Sequence, residues 1–259
     1  MPLAETLALL AADAYEMNPA KDLPAGFTAV DAPGLRMHNG LYASDGAQAV
    51  LSTGQLGSDT VYVLAFRGSD NHQDWLDDVR NINAEYSSFQ PLIAAVEGLA
   101  AQGQKIVVVG HSLGGAMAQL FMETHGGAQY RAVTFGSPGA LLDSTTPDPR
   151  ITNIVTADDP LVFLGTHRIE VAQQAASDPA YAAALTAELS QLTHLPTKAL
   201  VDSLPYMTSD YANLGAVVEV GAGQPLTVQT LLTADPQEHD IATYENLLAG
   251  ASFFGASLW

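Results

Sequence analysis

The residues Gly110-His111-Ser112-Leu113-Gly114-Gly115 follow the run Lys105-Ile106-Val107-Val108-Val109 and precede the helix-forming stretch AMAQLFMETH. A serine flanked two residues away on each side by glycine suits a tight strand-to-helix turn. The glycines let strand and helix approach closely, and the serine Oγ projects clear of the backbone as a nucleophile. The helix that follows aims its positive end, and the N–H of Leu113, at the place where an oxyanion would form. The chemistry such a serine supports is acyl transfer, which needs a general base and a carboxylate to orient it. His111 adjoins the serine but lies on the other side of the turn's backbone, so it reads as a packing residue rather than the base.

With a serine on this kind of turn, the acid and then the histidine come from later strands, in that order along the chain. Four histidines follow Ser112: His125, His167, His194 and His239. His125 falls on the helix after the serine and His194 in an Ala-rich helical stretch. His239 has the right setting, after the loop Thr233-Ala234-Asp235-Pro236-Gln237-Glu238 and before an amphipathic helix. For the acid, Asn153-Ile154-Val155-Thr156-Ala157-Asp158-Asp159-Pro160 sets two carboxylates at the end of a predicted strand, where open α/β sheets keep their sites. Adjacent aspartates point in different directions, so one of them reaches the imidazole; spacing leaves open which.

The elements that must position these residues are legible as alternating apolar patterns. Strand-like runs lie at Ala49 to Ser52, Thr60 to Phe66, Lys105 to Val109, Tyr130 to Phe135 and Ile151 to Thr156, with a later pair at Ala216 to Val220 and Leu226 to Leu231. Helical patterns cover Pro91 to Ala101, Leu113 to Thr124 and Ile241 to Leu248. The run Ile106 to Val109 is apolar on both faces, as a central strand covered by helices on each side requires. The expectation is an α/β fold: a mostly parallel central sheet with helices on both faces, in one domain spanning 1–259. From about 171 to 204 the chain is Ala-rich and helical, with Pro196 and Pro205 as stops, and reads as an insertion that either covers the sheet or caps the site.

At 259 residues, 47% of them hydrophobic, the chain can bury a large core. Acidic residues outnumber basic ones by 28 to 9, a net charge of −19, which excludes nucleic acid as a natural partner and disfavours strongly anionic membranes. With no cysteine, neither disulfides nor cysteine-based metal sites are available. The first residues carry no Lys or Arg before their apolar run, Glu5 interrupts it, and Leu3, Leu7, Leu10 and Ala11 share one helical face, so this reads as an ordinary first helix rather than a signal or membrane span. The terminal stretch with Phe253, Phe254, Leu258 and Trp259 reads as a tail packed on the core, or as a lipid contact or export element. This composition leans towards an exported bacterial protein, with a cytoplasmic one also compatible.

Taken together, these residues resemble the class 3 lipases, the family of the filamentous-fungal triacylglycerol lipases and their bacterial relatives, within the α/β-hydrolase superfamily. The matching blocks are AFRGSD at Ala65 to Asp70, VVGHSLGGAMAQL at Val108 to Leu120, VTFGSPG at Val133 to Gly139, NIVTADDPLVFL, and HDIATYENLL with Tyr244 five residues after His239. In that family the acid directly precedes the proline, which implies Asp159. The resemblance further implies that Ser69 joins Leu113 in the oxyanion hole, a donor whose loss typically costs ~2.7 to 4 kcal/mol of transition-state stabilisation. It also implies a lid at about 70–80, in which Trp75, Leu76 and Val79 form an apolar arc opposite Asp74, Asp77 and Asp78. Trp75 would meet lipid, and Asp78 would orient Ser69. Two features depart from the family: 80 residues separate Asp159 from His239, and the cysteines that staple the secreted fungal members are missing.

The function expected from this reading is a serine carboxylester hydrolase acting on triacylglycerol or simple lipid esters at a lipid–water interface. Its triad is Ser112, His239 and Asp159, and it needs no metal or cofactor. Phospholipase A1 activity on glycerophospholipids is the alternative within the same chemistry. A non-catalytic lipid-binding module is the alternative outside it, opposed by the completeness of the set.

Overall fold

The computed structural model describes residues 1–44, 46–68, 85–144, 146–193, 196–251 and 258–259. Among the described residues, nine strands form one mixed sheet: β1 (Thr28–Ala29), β2 (Met37–His38), β3 (Leu41–Ser44), β4 (Ala47–Leu56), β5 (Asp59–Phe66), β6 (Lys105–His111), β7 (Tyr130–Phe135), β8 (Ile151–Thr156) and β9 (Ala216–Val220). The order is β2-β3-β4-β5-β6-β7-β8-β9, with β1 pairing on β4. β2 to β5 run antiparallel and β5 to β9 parallel. The antiparallel part is turned by tight loops. Asn39 and Gly40, both at positive φ, join β2 to β3 in the pattern that matches the twist of a two-residue hairpin.

Helices α1 (Leu3–Ala12), α2 (Gln90–Ala101), α3 (Leu113–Thr124) and α8 (Ile241–Leu248) cover the sheet. Successive residues of β6 serve opposite faces, because side chains alternate along a strand. Ile106 and Val108 join Leu92, Val96, Met117 and Phe121 from α2 and α3. Val107 and Val109 join Leu7, Leu10, Tyr244 and Leu248 from α1 and α8. Leu7, Leu10 and Leu248 are essentially solvent-free, and truncating such a side chain to alanine typically costs about 2–5 kcal/mol. The strands expected at Tyr130, Ile151 and Ala216 hold to the residue; the one expected at Ala49 to Ser52 is the middle of a longer strand.

Two expectations change. Leu226 to Leu231 is not a strand. Thr227 and Thr230 bond each other's backbone N–H through their hydroxyls, closing a turn that runs into the 3₁₀ segment Thr230–Thr233, and such local side-chain bonds compete with strand pairing. Val228 and Leu231 turn instead into a third apolar cluster. That cluster sits between α4 (Pro160–Thr166) and the helical insertion, which consists of α5 (Arg168–Ser177), α6 (Pro179–Thr193) and α7 (Thr197–Ser203). Its buried Val171, Tyr181, Leu185, Leu200 and Leu204 pack on Phe163 and Leu164 of α4 rather than on the sheet, so the insertion builds a core of its own. At the other end of the chain, Leu258 and Trp259 pack against the α1 side of the sheet. The Trp259 ring lies 4.5 Å from Lys105 Nζ, and its Nε1–H donates to the Ala128 carbonyl at 2.9 Å. Phe253 and Phe254 lie outside the described residues.

Candidate active site

β6 ends in the elbow. Ser112 sits between β6 and α3 at φ 56° and ψ −129°, a conformation a non-glycine residue holds only when its surroundings enforce it. They do. A Cβ on Gly110 would overlap the Gly114 backbone, and a Cβ on Gly114 would overlap the Phe66 carbonyl, so only glycine lets the strand, the helix and the end of β5 meet here. Leu113 opens α3, so its N–H belongs to the helix end that has no preceding carbonyl to bond.

Three segments converge on the Ser112 hydroxyl. Ser112 Oγ lies 2.8 Å from His239 Nε2 and donates to it, and His239 Nδ1–H lies 2.9 Å from both Asp159 oxygens. His239 closes the 3₁₀ turn Pro236–His239 before α8, and Asp159 is the N-cap of α4, 1% exposed. Asp159 Oδ1 accepts from the N–H groups of Leu161 and Val162, and Oδ2 accepts from the Tyr244 hydroxyl at 2.7 Å. Burial alone would raise this carboxyl. The facing imidazole and the bonds from His239, Tyr244 and Val162 outweigh burial and hold its pKa below the ordinary value. Burial, and then the Asp159 charge, push the Tyr244 hydroxyl well up, so it stays a donor. Gly136, at φ 54°, leaves room for this bond, since a Cβ there would lie 2.9 Å from Asp159 Oδ2 and 3.0 Å from the Tyr244 oxygen.

His111 has more to do than fill space. Its Nε2–H donates to the His239 carbonyl at 2.6 Å, and its Nδ1 accepts from the Tyr15 hydroxyl at 3.0 Å. Burial, reinforced by the neighbouring His239, lowers its pKa to about 3, so the ring stays neutral and one tautomer fits both partners. Tyr15 comes from the 3₁₀ turn Asp13–Tyr15 after α1. No motif in the sequence marks it; it lies 96 residues from His111. Gly68 is packed beside the elbow, where a Cβ would meet the Tyr15 oxygen and the Ser112 side chain. Ser69, Trp75 and Asp78, with the whole stretch 69–84, lie outside the described residues. His194 does too. His125 and His167 stack on Phe121 and Phe163, at 3.9 and 4.2 Å, as satisfied structural residues. Asp158 lines a separate cavity. Among the described residues, no three His, Asp, Glu or Cys side chains form a metal-holding group.

A mixed sheet with helices on both faces, carrying a Ser–His–Asp chain across a strand-to-helix elbow, defines an α/β-hydrolase. Residues 6–170 match the phospholipase-like family model described as the Tle-like phospholipase domain, and the chain belongs to that family. The match ends in the first turn of α5, before His239. The extracellular phospholipase A1 of Serratia liquefaciens is 35% identical over 145 residues, which is 51% of this chain and 41% of that protein; the chain therefore aligns with about two fifths of that relative's length. Among solved structures, the native Rhizomucor miehei lipase propeptide complex has a TM-score of 0.43 at 17% identity, over 64% of this chain and 63% of that one. The Lip2 lipase of Yarrowia lipolytica has a TM-score of 0.43 at 16% identity, over 62% of this chain and 72% of that one.

Proposed function

We propose that the chain hydrolyses acyl esters of lipids through a covalent acyl-enzyme, with Ser112 as nucleophile, His239 as general base and acid, and Asp159 as the residue that orients and charge-balances the imidazole. The hydrogen-bonded chain Ser112–His239–Asp159 is the observation that carries this reading. Ser112 Oγ attacks the ester carbonyl carbon while its proton passes to His239 Nε2. The carbonyl oxygen becomes an oxyanion received by the Leu113 N–H and by Ser69. His239 then protonates the departing alcohol, and a water deprotonated by His239 releases the fatty acid and restores the serine. All these steps draw on side chains and backbone alone.

Among lipid esters, glycerophospholipids are the class a specific observation favours, because the family model is that of a phospholipase domain and the aligned Serratia protein is a phospholipase A1. Triacylglycerol and simple esters remain the comparison arm. The amphipathic 70–80 segment would act as the lid, offering Trp75 to a lipid surface and bringing Asp78 towards Ser69, and contact with the interface would be transient. The insertion packs on α4, whose N-cap is Asp159, and would cap the acid side of the site. Export fits both the acidic, cysteine-free composition and the extracellular relative. Among the described residues no helix is long and apolar enough to cross a membrane.

Ser112→Ala is expected to abolish p-nitrophenyl butyrate hydrolysis and fluorophosphonate labelling while the circular dichroism spectrum stays native. Retained turnover or labelling overturns the assignment. Asp159→Asn should lower kcat by roughly 10³–10⁴-fold, far more than Asp158→Asn. Initial rates on phosphatidylcholine vesicles, tributyrin and a soluble short-chain ester, measured side by side, test the substrate class, and faster turnover of tributyrin reverses the preference.

A further inference from the structure

Asp158, the carboxylate that the catalytic chain leaves unused, lines a cavity of about 280 Å³ together with Thr156, Gly223, Glu238, Thr243 and Asn246. The cavity joins three segments: the end of β8 next to Asp159, the loop after β9, and the turn and helix that flank His239. Its polar side chains are two carboxylates, two hydroxyls and one amide, and among the described residues that line it there is no Lys, Arg or His. Asp158 Oδ1 is fully buried and accepts no hydrogen bond from the described residues. Thr156 is 3% exposed, and its Oγ1 is likewise buried without a hydrogen-bond partner. A carboxylate oxygen withdrawn from water without a donor is costly unless a positive charge meets it. The site is also built tightly around that carboxylate, since a Cβ on Gly223 would overlap it, so glycine brings the loop backbone alongside.

We propose that this cavity binds a hydrated divalent cation of the calcium class, with Asp158 and Glu238 as its charged ligands, and that the ion ties the loop of Asp159 to the loop of His239. Two carboxylates balance a divalent charge. Carboxylate, hydroxyl and amide oxygens suit a hard cation, and such flexible donors suit calcium better than magnesium, which demands rigid octahedral geometry. The volume holds an ion with several waters, each occupying about 30 Å³. Retained water and only two charges place the affinity in the weak class of extracellular sites, about 10⁻⁴–10⁻³ M. This inference does not depend on the proposed activity, because the ion touches neither Ser112 nor the ester.

The test is thermal unfolding of the full chain after chelation, titrated with calcium, with magnesium, and with sodium chloride at matched ionic strength. Calcium is expected to raise Tm by about 2–4 °C, saturating at millimolar concentration, with magnesium giving less. The shift should disappear in Asp158→Asn and in Glu238→Gln, each checked for native circular dichroism, and persist in Ser112→Ala. Terbium luminescence displaced by calcium on the unmutated chain reads binding directly, whether or not a variant folds poorly. The proposal is overturned by a calcium response no larger than that of sodium, or by a response that survives in both folded carboxylate variants. Stabilisation by glycerophosphocholine without any by calcium also overturns it, assigning the cavity to an organic ammonium group. Loss of calcium binding with intact ester hydrolysis sinks this inference alone, and the converse sinks only the catalytic reading.

Discussion

Tyr244 shows what a buried carboxylate requires to stay ionised. Asp159 is almost solvent-free and faces a single imidazole, so the phenol proton and two helix N–H groups supply what water would have given. Hydrogen bonds to charged groups contribute about 1.5–3 kcal/mol, and removing one of several reapportions the rest. Tyr244→Phe is therefore expected to lower kcat on a soluble ester by about tenfold with KM nearly unchanged, while the chain stays folded. An unchanged kcat would show that the backbone donors suffice. No local pattern marks this bond, and Tyr244 stands out in the sequence only through the family block after His239. Ser112, His239 and the pair Asp158-Asp159 were legible because each lies beside a strongly patterned element, the first and the pair after a strand and His239 before a helix. Tyr15 was not, because a contact across 96 residues leaves no trace in periodicity.

At the scale of elements, the elbow is a packing problem solved by missing atoms. β5, β6 and α3 approach so closely that Gly110 and Gly114 have no space for a methyl group, and the neighbours in the way are backbone, which cannot rotate aside. Gly114→Ala is expected to cost more than about 3 kcal/mol, a steric clash at the severe end of single substitutions. A lowered urea midpoint together with lost ester hydrolysis would register it. Elements with long one-period patterns were readable from sequence for a physical reason: β7, β8, α3 and α8 owe their form to burial that repeats along the chain. The 226–231 run misled because its apolar residues serve the insertion's own core, and two threonine hydroxyls close the backbone before it can pair.

For the whole molecule, the excess of acid has an internal counterpart. Asp13, 5% exposed, has a buried Oδ2 without a partner among the described residues, and burial, followed by the charges of Asp22, Glu16 and Glu245, raises its pKa from 3.8 to about 7. A carboxyl whose folded pKa lies above its unfolded one favours the folded state only while protonated. Below about pH 4 both states hold the proton and nothing is lost. From there to pH 7 the unfolded chain releases it first, so stability falls as pH rises, by a few kcal/mol in all. Asp13→Asn should raise the urea midpoint at pH 8 and flatten its dependence between pH 4.5 and 8. A slope identical to that of the unmutated chain would remove Asp13 from the account.

The bond from Tyr15 to His111 carries a consequence for how activity is acquired. The ring that braces the His239 carbonyl takes its own orientation from a phenol 96 residues upstream, while the histidine it braces arrives 128 residues downstream. Bringing such remote stretches together is slow compared with forming either helix locally. During refolding, helical signal should therefore return early and hydrolysis late, when the stretches of Tyr15 and His239 have both docked. On the proposed reading, a chain arranged this way acquires its hydrolytic site only once those two stretches have met.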